Sequence, residues 1–205
     1  MPPRINVPLD VHLITLSVES FRVVSREVRV GRDTRTQLER VREVREVPPG
    51  VDRGTMALAV EVANRIFLPA DIQFAVRSCT AERVAAPQNR EEIDEAGFFE
   101  LASQFPASTA ASVLVVQKFQ GAELGGQAVE SLGVCIVKKL GPADSGKVLA
   151  HELGHLLNLE HVTRSGVDNY NLMYPSLRAD DRLSEGQINT ARASNLVRRV
   201  GASAR

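Results

Sequence analysis

Apolar and polar positions divide the chain into stretches of different period. From Val7 to Val18 they alternate, with Val11, Leu13, Thr15 and Ser17 on one face and His12, Ile14 and Leu16 on the other. Both faces are rather apolar, which predicts a largely buried first strand. A charged stretch then runs from Glu19 to Val47. Val28 and Val30 alternate like a strand. Leu38, Val41, Val44 and Val47 recur every third residue, which fits a short helix or an irregular ribbon. Pro48-Pro49-Gly50 ends this stretch, and its mixed-sign charge reads as a solvated insertion. Thr55 to Phe67 carries a broad apolar stripe at helical spacing, through Leu58, Val62 and Ile66. Ile72, Phe74 and Val76 alternate again, predicting a second strand. Strand, helix and strand in this order form a right-handed crossover with parallel strands.

Residues 80–90 read as loop. Asn89 to Gln104 predicts a helix closed by Pro106, and the continuous apolar run from Ser112 to Lys118 predicts a buried central strand. After a glycine-rich connection come two further strands, Gln127–Ser131 and Gly133–Lys138. Residues 140–145 supply a turn, with Asp144 or Ser145 as N-cap of a helix starting near Gly146. A final helix is predicted from Ser184, with Gln187 as its capping-box partner and Ile188, Ala191, Leu196 and Val197 as its buried stripe. The tail from Gly201 carries no such pattern and reads as disordered.

Composition adds bounds rather than detail. With 205 residues, 43% hydrophobic and 24% charged, the chain reads as one globular domain, residues 1–205, with a charged insertion at about 19–50. Its formal net charge is zero, which gives no bulk attraction for nucleic acid or an anionic membrane. No apolar run is long enough to span a bilayer. The N-terminus lacks the apolar core of a signal peptide, which predicts a cytoplasmic or non-classically exported protein. Cys79 and Cys135 stand far apart in sequence, and two buried free thiols are expected.

The chemistry concentrates in His151-Glu152-Leu153-Gly154-His155-Leu156-Leu157-Asn158-Leu159-Glu160-His161. Of four histidines, all but His12 lie here, and His12 sits in the alternating first stretch as a strand residue. On a helix His151 and His155 lie one turn apart on one face, with Glu152 beside them. Leu149, Leu153, Leu156 and Leu157 fall on the opposite side and anchor the helix. Two imidazoles so spaced suit one Zn²⁺, and catalytic zinc takes three protein ligands. His161 can be the third only if the chain turns sharply after His155. Asn158 is the residue suited to that turn, because asparagine tolerates the left-handed conformation.

This pattern, with Asn171-Leu172-Met173-Tyr174-Pro175 downstream, resembles the metzincin zinc endopeptidases, most nearly the matrixin branch. Asn158 stands where that family usually has Gly. The resemblance covers roughly residues 112–180 at motif level. It implies a zincin-like α+β fold: a twisted mixed sheet, mostly parallel with one antiparallel edge strand, the zinc-site helix beneath it, and a C-terminal helix. It implies Zn²⁺ held by His151, His155 and His161, Glu152 as general base, and Met173 as a packed floor below the histidines. A peptide or protein substrate would bind as an added strand along Gln127, Ala128 and Val129, with Tyr174, Pro175 and the segment up to Arg182 lining the pocket beyond the scissile bond. Family members are often extracellular.

Two alternatives stand beside this reading. Asp168 or Glu160 could replace His161 as third ligand. The chain could also be a non-catalytic, zinc-braced protein-binding module, a reading motivated by Asn158 and by the absence of a cysteine-switch motif.

Overall fold

The computed structural model describes residues 5–30, 33–107, 109–120, 125–138, 142–162, 170–175 and 181–198. Among them, six strands form one mixed sheet: β1 (Ile5–Val30), β2 (Asp33–Val47), β3 (Ile72–Ala85), β4 (Ala111–Val116), β5 (Gly126–Val129) and β6 (Val134–Lys138). It is accompanied by α1 (Arg53–Ile66), α2 (Glu95–Ala102), α3 (Pro142–Leu156) and α4 (Glu185–Ala193), with residues 195–198 helical again after Ser194. No described helix is long and apolar enough to cross a membrane.

The first half of β1 is the axis of the sheet. It pairs in parallel with β3 on one side and β4 on the other, and β4 pairs in parallel with β6. Alternate residues of β1 go to opposite faces, as the strand period requires. Val7, Leu9, Val11 and Leu13 join α1 and α3 in one core, while Ile14 and Leu16 join Phe98 and Leu101 of α2 in another. Helix α1 starts where the Asp52 carboxylate accepts the Thr55 N–H at 2.7 Å. Its Asn64 amide bonds both the N–H and the C=O of Phe74, which fixes α1 against β3.

The zincin-like, mostly parallel sheet with a single antiparallel edge strand is not what forms. The finding that overturns it is the length and pairing of β1. The strand does not stop near Val18 but runs to Val30, and β2 folds back along it from Leu16↔Val47 to Val30↔Asp33. With β5 antiparallel to β6, the sheet is antiparallel at both ends of its path and parallel only between. The stretch expected as a short helix or irregular ribbon is therefore one arm of a long hairpin. Its third-residue spacing puts Leu38 and Val44 on one face and Val41 and Val47 on the other, with two charged residues between successive β-branched ones from Val41 to Val47.

Further differences have local causes. Residues 80–85 continue β3 because β1 offers them a partner as far as Ser17↔Ala85. Helix α2 begins only at Glu95, where Asp94 caps the Gly97 N–H at 2.8 Å. Helix α3 begins at Pro142, so Asp144 lies in its first turn and neither it nor Ser145 is the cap. The capping box of α4 is formed by Ser184 and Gln187. Both cysteines are free, Cys135 buried and Cys79 half-buried. His12 is a strand residue, its ring against Phe105 and its Nδ1 3.2 Å from Thr80 Oγ1. Leu140, Gly141 and the tail from Gly201 lie outside the described residues.

Candidate metal centre

Helix α3 crosses beneath the sheet against α1, and a Cβ on Gly146 would lie only 2.4 Å from Val62 Cβ. That close crossing fixes the helix that carries His151, Glu152 and His155. Leu149, Leu153, Leu156 and Leu157 are buried on its core side. The helix ends in a Schellman motif, with Leu159 N–H donating to Gly154 O at 3.0 Å and Asn158 N–H to His155 O at 2.9 Å. Asn158 takes the left-handed position with φ 65°. Its side-chain amide donates to Glu130 Oε1 at 2.6 Å, which ties the turn to the end of β5.

This turn returns His161 to the helix. The three Nε2 atoms lie 3.0 Å apart for His151 and His161, 3.1 Å for His151 and His155, and 3.1 Å for His155 and His161. The outer nitrogens of the two helical histidines are engaged elsewhere. His151 Nδ1–H donates to Leu172 O at 2.8 Å, and His155 Nδ1–H donates to Leu159 O at 2.8 Å. Each of these rings therefore presents its Nε2 lone pair to the centre. Lone pairs 3.1 Å apart with no proton between them repel, and a cation relieves that repulsion. The three-histidine group can hold a metal ion. Burial also pushes the His151 and His155 pKa values down to about 4, which keeps both rings neutral and ready to ligate at pH 7.

Met173 is fully buried, its sulfur against Gly154 of α3, where a Cβ would come within 2.7 Å of Sδ. The Asn171 side chain accepts the Met173 N–H at 2.9 Å and exchanges hydrogen bonds with Gln187 of α4. Glu152 is 2% exposed, and burial pushes its carboxyl up to about 8. A bound cation nearby favours the ionised form and acts against that shift.

The histidines and Glu152 open into a cleft of about 710 Å³. Gln127, Ala128 and Pro175 line it, as do Glu95, Gly126, Glu130, Asn158 and Glu160. Val129 is buried at the end of β5 and Tyr174 is half-buried; neither is among the lining residues. Glu160 lines the cleft without joining the three-nitrogen cluster, while Asp168 and residues 176–180 lie outside the described residues. The carbonyls of Leu159 and Leu172 and the contact between Gly126 and Glu152 were not legible beforehand. They are backbone groups and a tertiary approach, with no side-chain pattern to mark them. No family model and no curated protein matches the chain.

Proposed function

We propose that the chain is a zinc-dependent endopeptidase, hydrolysing peptide bonds with water activated beside Glu152. The observation that carries this reading is the convergence of three histidine Nε2 atoms in an open cleft that one buried carboxylate, Glu152, also lines. Zn–N bonds of about 2.0–2.1 Å at tetrahedral angles separate ligand nitrogens by roughly 3.4 Å, near the spacing of the three Nε2 atoms. A three-nitrogen set also leaves a coordination position free, which a catalytic site needs and a closed structural site does not. The resemblance of His151–His161 and Met173 to metzincin motifs supports the same assignment of roles.

Zinc, when bound, supplies Lewis acidity that activates water and polarises the scissile carbonyl. The chain's own groups do the rest. Leu172 O and Leu159 O hold two imidazoles in the tautomer that presents Nε2. Glu152 accepts a proton from the attacking water as the new C–O bond forms, and delivers it to the leaving nitrogen as the C–N bond breaks. β5 pairs only with β6 among the described residues, so its other edge is free to take a peptide as an added strand along Gln127 and Ala128.

The test is a peptide-library digest read by mass spectrometry, wild type against Glu152→Ala, with zinc content measured in both. Cleavage by wild type alone, with zinc retained by the variant, is the expected outcome. Full activity in Glu152→Ala removes the role given to that carboxylate. No cleavage by zinc-loaded wild type would favour a zinc-braced binding module instead.

A further inference from the structure

We propose that Gly126 is a positioning residue: the bare backbone at the start of β5 creates the space in which the Glu152 carboxylate stands. The proposal rests on the reading of Glu152 as general base. A Cβ built on Gly126 would lie 2.7 Å from Glu152 Cγ and 2.8 Å from Glu152 Oε1. Those separations are well inside van der Waals contact, so any side chain at this position must displace something. Backbone conformation gives no competing reason for glycine here. The positive-φ glycines among the described residues are Gly125 and Gly133, and Gly126 is not one of them.

What yields is decided by the surroundings. Helix α3 cannot retreat, because Leu149 and Leu153 are fully buried on its far side and Gly146 already touches Val62. The strand cannot retreat freely either, because Gly126 pairs with Val137 of β6, which is itself held by β4. The Glu152 side chain is the remaining mobile part. A methyl group at 126 would therefore swing the carboxylate away from its present position in the cleft that it lines together with the three imidazoles. One other atom lies equally near, the Ile136 carbonyl oxygen at 2.8 Å, and a clash there would make Gly126 merely structural.

A double-variant cycle separates the two. The thermal midpoints of metal-free wild type, Gly126→Ala, Glu152→Ala and the double variant are compared. If the carboxylate is the group displaced, Gly126→Ala lowers the midpoint in the wild-type background and much less in the Glu152→Ala background. Equal losses in both backgrounds assign the clash to Ile136 and overturn the proposal. Should Gly126→Ala fail to fold, folding of the double variant supports the proposal and its failure overturns it. In the zinc-loaded enzyme, Gly126→Ala is expected to keep its metal and its KM while kcat falls on the order of 10²-fold, the scale of an ångström-level misplacement. An unchanged kcat also overturns it. Inert wild type would defeat the endopeptidase reading, while the stability cycle still decides the contact between Gly126 and Glu152.

Discussion

Asn158 does three things with one side chain. It adopts φ 65°, it closes the Schellman motif that lets Leu159 accept from His155, and it donates to Glu130. Its side-chain oxygen is buried without a partner among the described residues, which costs part of what the other contacts contribute. Left-handed backbone costs an ordinary L-residue about 1–2 kcal/mol, asparagine less, and glycine nothing steric. Asn158→Ala should therefore lose about 1–2 kcal/mol from the turn alone. Asn158→Gly should stay within about 1 kcal/mol of wild type, since it sheds both the strain and the orphaned oxygen while losing one hydrogen bond. Urea unfolding of the two variants, with zinc titration beside it, checks the order. If Asn158→Ala proves as stable as Asn158→Gly, the left-handed turn is not what holds His161 near the helix. The sequence made this residue legible because turn chemistry is local: four positions and one amide decide it.

Elements were legible to the degree that their causes were local too. The helical stretch of α1, the capping box of α4 and the run of β4 are each decided within about a dozen residues, and each forms close to where its pattern lies, although Leu58 of the α1 stripe is exposed. The hairpin was not, because its stability comes from pairing across the chain. Phe21, Val23, Leu38 and Val44 are 51%, 63%, 71% and 52% exposed and share one face, so no burial pattern marks the ribbon as a strand. Cross-strand contacts hold it instead. Arg40 lies over the Phe21 ring with 4.0 Å from guanidinium carbon to centroid, Arg42 pairs with Glu19, and the Asn89 amide clasps the Glu19 backbone on the edge that β3 has left. This division has a measurable consequence. Val23→Lys or Leu38→Lys should change unfolding stability by less than about 0.5 kcal/mol, as substitutions at exposed positions do. Leu16→Ala, at 1% exposure where β1 enters the core, should cost about 2–5 kcal/mol. A large loss at Leu38 would show that the exposed face is covered by something in solution.

At the scale of the whole molecule, the histidine cluster joins segments that are otherwise held by separate contacts. His151 and His155 belong to α3, His161 follows the turn, and the His151 ring reaches Leu172 O in the segment that carries Met173. That segment is tied to α4 through Asn171 and Gln187, and α4 reaches the start of β3 when Arg192 donates to Ala70 O at 2.9 Å and pairs with Asp71. An ion on the triad therefore links α3, the turn and, through Leu172, the C-terminal helix. The unfolded chain has no such preformed cluster, so binding energy adds to folding stability. For an ion at a thousand times its dissociation constant the gain is about 4 kcal/mol. For a chain of this length, about 4 kcal/mol corresponds to a rise in Tm of roughly 8–16 °C. Chelation should lower Tm by that amount and zinc should restore it, whereas His161→Ala, which leaves only two converging nitrogens, should lose most of the response. The Glu152→Ala variant should keep it, because that carboxylate is not among the converging nitrogens. A chelator-insensitive Tm in protein that carries stoichiometric zinc would mean the ion sits elsewhere. Response kept by Glu152→Ala and lost by His161→Ala would separate the metal's structural contribution from the chemistry assigned to its neighbour.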